Sequence, residues 1–339
     1  MKNNEPVVIV PMRAGLPRSQ AFAVACLAVC STLIAAGNNP SISAASLLAR
    51  TKVLASDEFE GRAPGSAGGE KTVNYLAGEF KKLGLQPGNP NGTYIQDVPL
   101  VGITSKPGLT FNVGGATLPM VHINDYVAFS TRVTPRVEGR DSDVVFVGYG
   151  VVAPEFGWDD YKGVDVRGKT VVMLINDPPV PTPGTGRLEP KIFGGDAMTY
   201  YGRWTYKYEI AAQKGAAACL IVHETVPAAY PFGVVVSSWT RENFEIRRPD
   251  RNADHVALSG WLTLDAARKL FAAGGHDFEA LKKKAVAHEF RPVSLDIKAS
   301  FEIENSLRDV ESRNVVALLR GSDPKLRDEY VIYSAHWDH

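Results

Sequence analysis

Two side chains near the end of the sequence, His336 and Asp338, have the types and spacing of a metal site. A neutral imidazole is a good ligand for Zn²⁺, and a carboxylate two residues further on can accept the second ring N–H or reach the metal itself. A strand-end histidine hydrogen-bonded to a nearby acid has the same spacing, so both interpretations stay open. A zinc site needs at least three protein ligands, and this pair alone does not complete one.

An almost unbroken apolar and aromatic run, Tyr330 to Ala335, precedes this pair. Such a run predicts a strand that is buried on both faces of a sheet. Because side chains alternate along a strand, positions 336 and 338 would share one side and Trp337 would face the other. We therefore expect an imidazole and a carboxylate together at the carboxyl end of a strand, where open α/β sheets bind ligands.

The composition is that of an ordinary globular protein. The 339 residues are 45% hydrophobic and 22% charged, which suggests two domains that can each bury a core. The 37 basic and 37 acidic side chains give no formal net charge. Nothing in this balance favours a nucleic acid or an anionic membrane as a partner.

Residues 1–37 have the layout of a secretory signal peptide. Arg13 and Arg18 precede an apolar stretch that is short for a membrane span. We expect an exported protein, periplasmic or secreted, with no membrane span in the mature chain. An uncleaved anchor is the alternative, and lipid attachment at Cys26 is less favoured because little apolar sequence precedes that residue.

Removal of this signal would leave Cys219 as the single cysteine, so no internal disulfide is expected. Cys219 lies in the apolar, strand-like run 216–222. This setting predicts a buried thiol that packs in the core and does not react.

The range 41–135 begins with two predicted helices. The first covers 41–55, and the second is opened by Ser66 and has apolar residues at helical spacing. Between them lies the segment 56–66, rich in acids, Gly and Pro, which is either a solvated connection or the rim of a site.

Short strands are then predicted at 94–101 and 109–113. The second turns at Gly114-Gly115 into a further strand. A polar stretch over 131–142 marks a domain boundary.

The range 140–290 reads as a small α/β or open β-barrel module, with strands in 143–153, 167–176 and 216–222 and a helix over 203–214. Thr263 caps a further helix, and a short one follows at 277–287. Three carboxylates, Asp159, Asp160 and Asp165, form either a solvated acidic turn or a calcium site.

The range 291–339 is predicted to contain strands at 293–304 and 312–319. A short polar loop joins the second of these to the run Tyr330 to Ala335. The two apolar strands are therefore predicted to form a hairpin at one side of a mixed sheet.

Taken together, four stretches resemble the co-catalytic zinc peptidases of the aminopeptidase Y and glutamate carboxypeptidase family, in the form with an inserted protease-associated domain. The stretches are Glu60-Gly-Arg-Ala-Pro-Gly-Ser66 with its helix ending Lys82-Leu-Gly-Leu-Gln-Pro-Gly88; Phe146-Val-Gly-Tyr-Gly150 through Asp160-Tyr-Lys-Gly163 and Val166-Arg-Gly-Lys-Thr-Val171 to Lys214-Gly-Ala-Ala217; Arg313-Asn-Val-Val-Ala317; and Ala335-His-Trp-Asp-His339. The likeness runs from about residue 45 to the last residue.

The resemblance implies an α/β fold: a discontinuous, incomplete mixed-sheet zinc-peptidase domain (41–135 and 291–339) that holds an inserted protease-associated domain (140–290). It implies two zinc ions per complete site, His336 as a metal ligand, Asp338 as the carboxylate that orients its ring, and a peptide substrate. The zinc ions would lower the pKa of a shared water, and a Glu would take its proton. In such enzymes the other ligands and the general base lie further along the chain.

We therefore expect residues 1–339 to be an inactive fragment of a zinc-dependent exopeptidase, with an aminopeptidase favoured and a carboxypeptidase of the same family as an alternative. His339 has no ligand role in the pattern. The competing class is a receptor-like binding protein of the same architecture that has lost its metal ligands. The oligomeric state cannot be inferred from the sequence.

Overall fold

The computed structural model describes residues 42–338, so the predicted signal peptide and His339 lie outside the described residues. The chain divides into two compact units between Phe59 and Glu60. In the first unit, α1 (Ala44–Leu54) confirms the first predicted helix, and the Ser43 hydroxyl accepts a hydrogen bond from the amide of Ser46 at its start. A short 3-10 helix follows at Asp57–Arg62.

The second unit is a mixed α/β structure. Its helices are α2 (Ala67–Lys82), α3 (Trp204–Gln213), α4 (Thr225–Ala228), α5 (Phe232–Trp239), α6 (Leu264–Ala273) and α7 (Phe278–Lys284), with 3-10 helices at Pro154–Phe156 and Tyr200–Gly202. Its strands are β1 (Gln86–Pro87), β2 (Ile95–Val113), β3 (Ala116–Leu118), β4 (Tyr126–Phe129), β5 (Arg136–Phe146), β6 (Val152–Ala153), β7 (Trp158–Asp159), β8 (Thr170–Leu174), β9 (Ala218–Val222), β10 (Asn243–Ile246), β11 (Leu258–Leu262), β12 (Val293–Val315) and β13 (Ala317–Leu318).

Within residues 42–338, nine strands form one mixed sheet in the order β10-β2-β12-β5-β8-β9-β11-β4, with β3 paired to β2. The neighbours β5, β8, β9 and β11 run parallel, and the flanking pairs run antiparallel. Every residue of β8, β9 and β11 is buried, as expected for parallel strands that are covered on both faces.

Side-chain caps confirm two of the predicted helix starts. Ser66 accepts a hydrogen bond from the amide of Gly69 at the start of α2, and Thr263 accepts one from the amide of Ala266 at the start of α6. Each cap satisfies one of the amide groups that a first helical turn leaves without a partner. The predicted turn at Gly114-Gly115 is also confirmed, because both residues have positive φ and join β2 to β3.

In two places we predicted a pair of short strands where the structure has one long strand. The segments 94–101 and 109–113 belong to β2, and 293–304 and 312–319 belong largely to β12. Pro107 and Gly108, residue types that are rare inside central strands, lie between the two segments of the first pair. Pro107 is tolerated since β10 pairs with 100–103 and β3 with 111–113, which leaves 104–110 paired with β12 alone among the described strands.

The predicted buried strand at Tyr330–Ala335, and its hairpin with 312–319, are wrong. The segment forms no strand, and its side chains are exposed, with Tyr333 at 94%. The run of apolar residues indicated burial but could not name a partner strand. The expected partner is occupied, because β12 pairs with β2 as far as Val315 and Ala317–Leu318 pairs with β1.

The nine-stranded sheet draws strands from all three predicted ranges. β2 and β4 come from 41–135, and β12 comes from 291–339. From 140–290, β8, β9 and β11 lie between β12 and β4, and β10 lies on the outer side of β2. The strand β5 also runs through part of the stretch 131–142, where we expected a boundary. The inserted protease-associated domain stays a prediction.

A lysine is buried in the core of the second unit. The Lys207 ammonium donates hydrogen bonds to the carbonyl oxygens of Tyr149, at 2.6 Å, and Asn176, at 3.0 Å. Burial lowers the pKa of Lys207 to about 8, and the nearby Asp160 and Asp177 carboxylates partly oppose this shift. Removing a cation from water disfavours its charged form, so Lys207 weakens the fold while it is protonated.

The acidic turn is explained by contacts within the chain. The Asp160 carboxylate accepts hydrogen bonds from the amide of Val151 and the indole of Trp158, and Asp165 pairs with Arg167. Cys219 is fully buried, and burial raises the pKa of its thiol, as expected for a core cysteine.

Replacing Lys207 with methionine should remove a pH dependence of stability. The folded-state pKa of about 8 lies below the ordinary value of 10.5. Between these values the unfolded chain binds more protons, so the unfolding free energy rises with pH. We expect a rise of about 2–3 kcal/mol between about pH 8 and 10 in the natural chain, and a flatter curve in Lys207→Met. Chemical denaturation across this range measures the difference.

The exposed Lys191 supplies the matched control. In Lys191→Met the unfolding free energy should rise with pH as steeply as in the natural chain. If the unfolding free energies of Lys207→Met and of the natural chain rise equally with pH, the pH dependence does not come from Lys207.

Candidate functional site

The tail that carries the candidate site is anchored by Trp337. Its indole N–H donates to the carbonyl oxygen of Arg313 on β12 at 2.9 Å, and the Arg62 guanidinium donates to the carbonyl oxygen of Trp337 at 3.0 Å. The ring lies over Gly69 in the first turn of α2, where a Cβ would lie 3.4 Å from two ring carbons. The tail is therefore fixed at one residue, although the preceding apolar segment is exposed.

His336 and Asp338 lie together on this anchored tail. The Nδ1 atom of His336 is 3.3 Å from Oδ1 of Asp338 and 2.9 Å from the backbone oxygen of the same residue. Contacts of this kind hold a proton on Nδ1 and leave Nε2 as the nitrogen that can bind a metal. The His336 side chain is 81% exposed and that of Asp338 is 45% exposed, so solvent reaches both groups.

The structure does not complete a zinc site from the residues it describes. Within residues 42–338 no group of three or more His, Cys, Asp or Glu side chains could hold a metal ion. The Glu70 and Asp97 carboxylates, from α2 and β2, form ion pairs with Arg313. The described residues therefore do not fit a zinc ion by themselves, because a site needs at least three protein ligands.

Sequence reasoning missed the residues that hold this pair. Trp337 was assigned only to the opposite side of a strand, and Arg62 was one residue of a loop whose role was left open. The Gly-rich start of α2 was the available signal, since a glycine on a helix often marks a place where another group approaches closely. Nothing in the sequence indicated which group that would be.

No protein-family model matches the chain, and no curated protein matches it. Among solved structures, the chain is similar to the aminopeptidase from Aneurinibacillus sp. strain AM-1, with 18% identity and a TM-score of 0.32, over 78% of this chain and 46% of that one. The chain thus spans about half the length of that protein. A TM-score this low does not establish a common fold, and nothing about activity follows from it.

No helix in the described part of the chain is long and apolar enough to cross a membrane.

Two glycines of α2 should respond oppositely to replacement by alanine. A Cβ at Gly69 would lie only 2.7 Å from the carbonyl oxygen of Ala63 and 3.4 Å from two carbons of the Trp337 ring, whereas one at Gly78 meets nothing within 4 Å. We expect Gly69→Ala to lower the unfolding free energy by about 1–3 kcal/mol through overpacking. Gly78→Ala should raise it by about 0.5–1 kcal/mol, because alanine loses less backbone entropy on folding.

Chemical denaturation gives both values, and proteolysis at the tail provides a local readout. Tail cleavage should speed up in Gly69→Ala only. Equal effects of the two changes on the unfolding free energy would show that Gly69 does not lie close to the Ala63 carbonyl oxygen.

Proposed function

We propose that this chain is part of a zinc-dependent exopeptidase, with an aminopeptidase favoured. The observation that carries the proposal is the 3.3 Å approach of Asp338 Oδ1 to His336 Nδ1 on a tail fixed by Trp337. The backbone oxygen of Asp338 forms the hydrogen bond with Nδ1 at 2.9 Å, and the carboxylate lies beside it. Such acceptors favour the tautomer with the proton on Nδ1 and make Nε2 a better metal ligand. The order of the four motifs supports the same class of protein.

In this proposal each residue has a limited task. His336 would bind zinc through Nε2, Asp338 would orient its ring, and Trp337 would keep both near β12 and α2. Zinc would supply Lewis-acid chemistry when bound. The partner is a peptide substrate. The proposed location is outside the cytoplasm, periplasmic or secreted, with residues 1–37 as the export signal.

The described residues supply one candidate ligand, so the others, and the general base, have to come from outside residues 42–338. We accordingly propose that the 339-residue chain binds zinc weakly and does not hydrolyse peptides. Chelator-sensitive turnover of an amino-acid anilide by this chain would refute that part of the proposal.

A second candidate is a receptor-like binding protein of the same architecture. The 81% exposure of His336 and the lack of a metal-binding group within residues 42–338 favour it. A carboxypeptidase is a further alternative within the enzyme class, because nothing in the described residues selects one terminus of a peptide.

Zinc titration of the 339-residue chain tests the role of the pair. We expect Zn²⁺ to shift the His336 ring resonances in NMR spectra, and His336→Phe to abolish this response. Asp338→Asn should weaken the binding by roughly tenfold, because it removes the negative charge 3.3 Å from Nδ1 and keeps only the hydrogen bond to the backbone oxygen.

Asp328→Asn is the matched control, since it removes a carboxylate from the same exposed tail. It should leave the affinity unchanged. If zinc affinity is equal in the natural chain and in His336→Phe, His336 is not a ligand and the receptor-like alternative gains support.

A further inference from the structure

A depression lies at the carboxyl ends of two central parallel strands, β9 and β11. Its volume is about 380 Å³, and its lining includes His223, Glu224, Val226, Phe232, Thr263 and Leu264. Val222 and Leu262 are paired as the last residues of the two strands, and the His223 amide donates to the carbonyl oxygen of Leu262. Open α/β sheets bind ligands at this edge. The depression is large enough for a ligand of the size of an amino-acid derivative.

The His223 ring in this depression is buried, and one of its two nitrogens lacks a polar partner within the described part of the chain. The residue is 3% exposed, and its Nε2 has no hydrogen-bond partner among the described residues. Aromatic rings surround it, with ring centres 5.4 Å away in Phe232, 5.7 Å in Tyr230 and 5.8 Å in Trp261. Buried polar atoms are rarely left unpaired, so a group that pairs with Nε2 when a ligand binds would explain this arrangement.

The chemistry of the His223 ring narrows the identity of that group. Burial lowers the pKa of His223, which favours the neutral ring, and backbone hydrogen bonds at Tyr230 and at His223 itself oppose this shift. In a neutral imidazole one nitrogen donates and the other accepts, so Nε2 can pair with either a donor or an acceptor. An uncharged amide group offers both, through its N–H and its carbonyl oxygen.

The charges and apolar lining define the rest of the ligand. The Glu224 carboxylate forms an ion pair with Lys282, so this part of the rim carries no net charge. Val226, Phe232 and Leu264 offer apolar surface. Such surroundings favour an uncharged ligand with one apolar side chain.

We propose that this depression binds a small, uncharged amide with an apolar side chain, and that His223 Nε2 forms a hydrogen bond with the amide group. An apolar residue within a peptide has this chemistry. The proposal is independent of the metal role of His336, because it involves neither the tail nor zinc.

Titration of the 339-residue chain with N-acetyl-L-leucinamide, followed by NMR, tests the proposal. We expect saturable shifts of the His223 ring resonances. His223→Phe should weaken the binding by roughly five- to tenfold, which corresponds to the loss of one hydrogen bond to an uncharged partner. His288→Phe is the control, since that histidine lies outside the lining and its Nε2 contacts the Gly157 carbonyl.

A second variant covers the case in which His223→Phe does not fold. Val226 is 90% exposed, so Val226→Glu should keep the fold and place an extra carboxylate on the rim. It should weaken the binding of the uncharged probe by a similar factor. The proposal is overturned if the natural chain shows no saturable shift, if both variants bind as tightly as the natural chain, or if the charged N-acetyl-L-leucine binds more tightly than the amide.

Discussion

The antiparallel ladder between β2 and β12 is the interaction on which the second unit depends. It pairs Ile95 with Val315 at one end and Asn112 with Lys298 at the other. Every backbone group in these strands needs a partner, and a ladder of this length satisfies them while joining residues about two hundred positions apart. The parallel strands β5, β8, β9 and β11 extend the sheet on the other side of β12. The position of these strands in the unit therefore also depends on the ladder that holds β12.

The candidate metal-binding pair depends on this ladder indirectly. β12 ends close to the start of α2, where Arg313 forms an ion pair with Glu70 and accepts the hydrogen bond of Trp337 through its carbonyl oxygen. Without β2 to hold β12, Arg313 would lose its place beside α2. The tail would then keep only local contacts between His336 and Asp338. The contact between His336 and Asp338 thus depends on two residues that are close in the sequence. The position of this pair in the molecule depends instead on the pairing of two strands that are far apart in the sequence.

Local features of the sequence predicted much of the fold. Caps at Ser66 and Thr263 and the glycine turn between β2 and β3 depend on neighbouring residues, and all three are confirmed. Partner choice between distant strands was not predictable, because an apolar run such as 330–335 indicates burial without naming the strand that provides it. The anchoring of Trp337 was missed for the same reason. The adjacency of His336 and Asp338 depends only on their spacing, and the metal role assigned to them is a proposal.

The separation of the two strands in the ladder also affects the order of folding. β2 is made early, but its main partner, β12, emerges from the ribosome only after all four parallel strands. Until then β2 exposes a long row of unpaired backbone groups, which is a common cause of aggregation. Closing a loop of this length is slow compared with forming helices and hairpins. A growing chain of this protein should therefore need a chaperone to shield β2 throughout most of its synthesis.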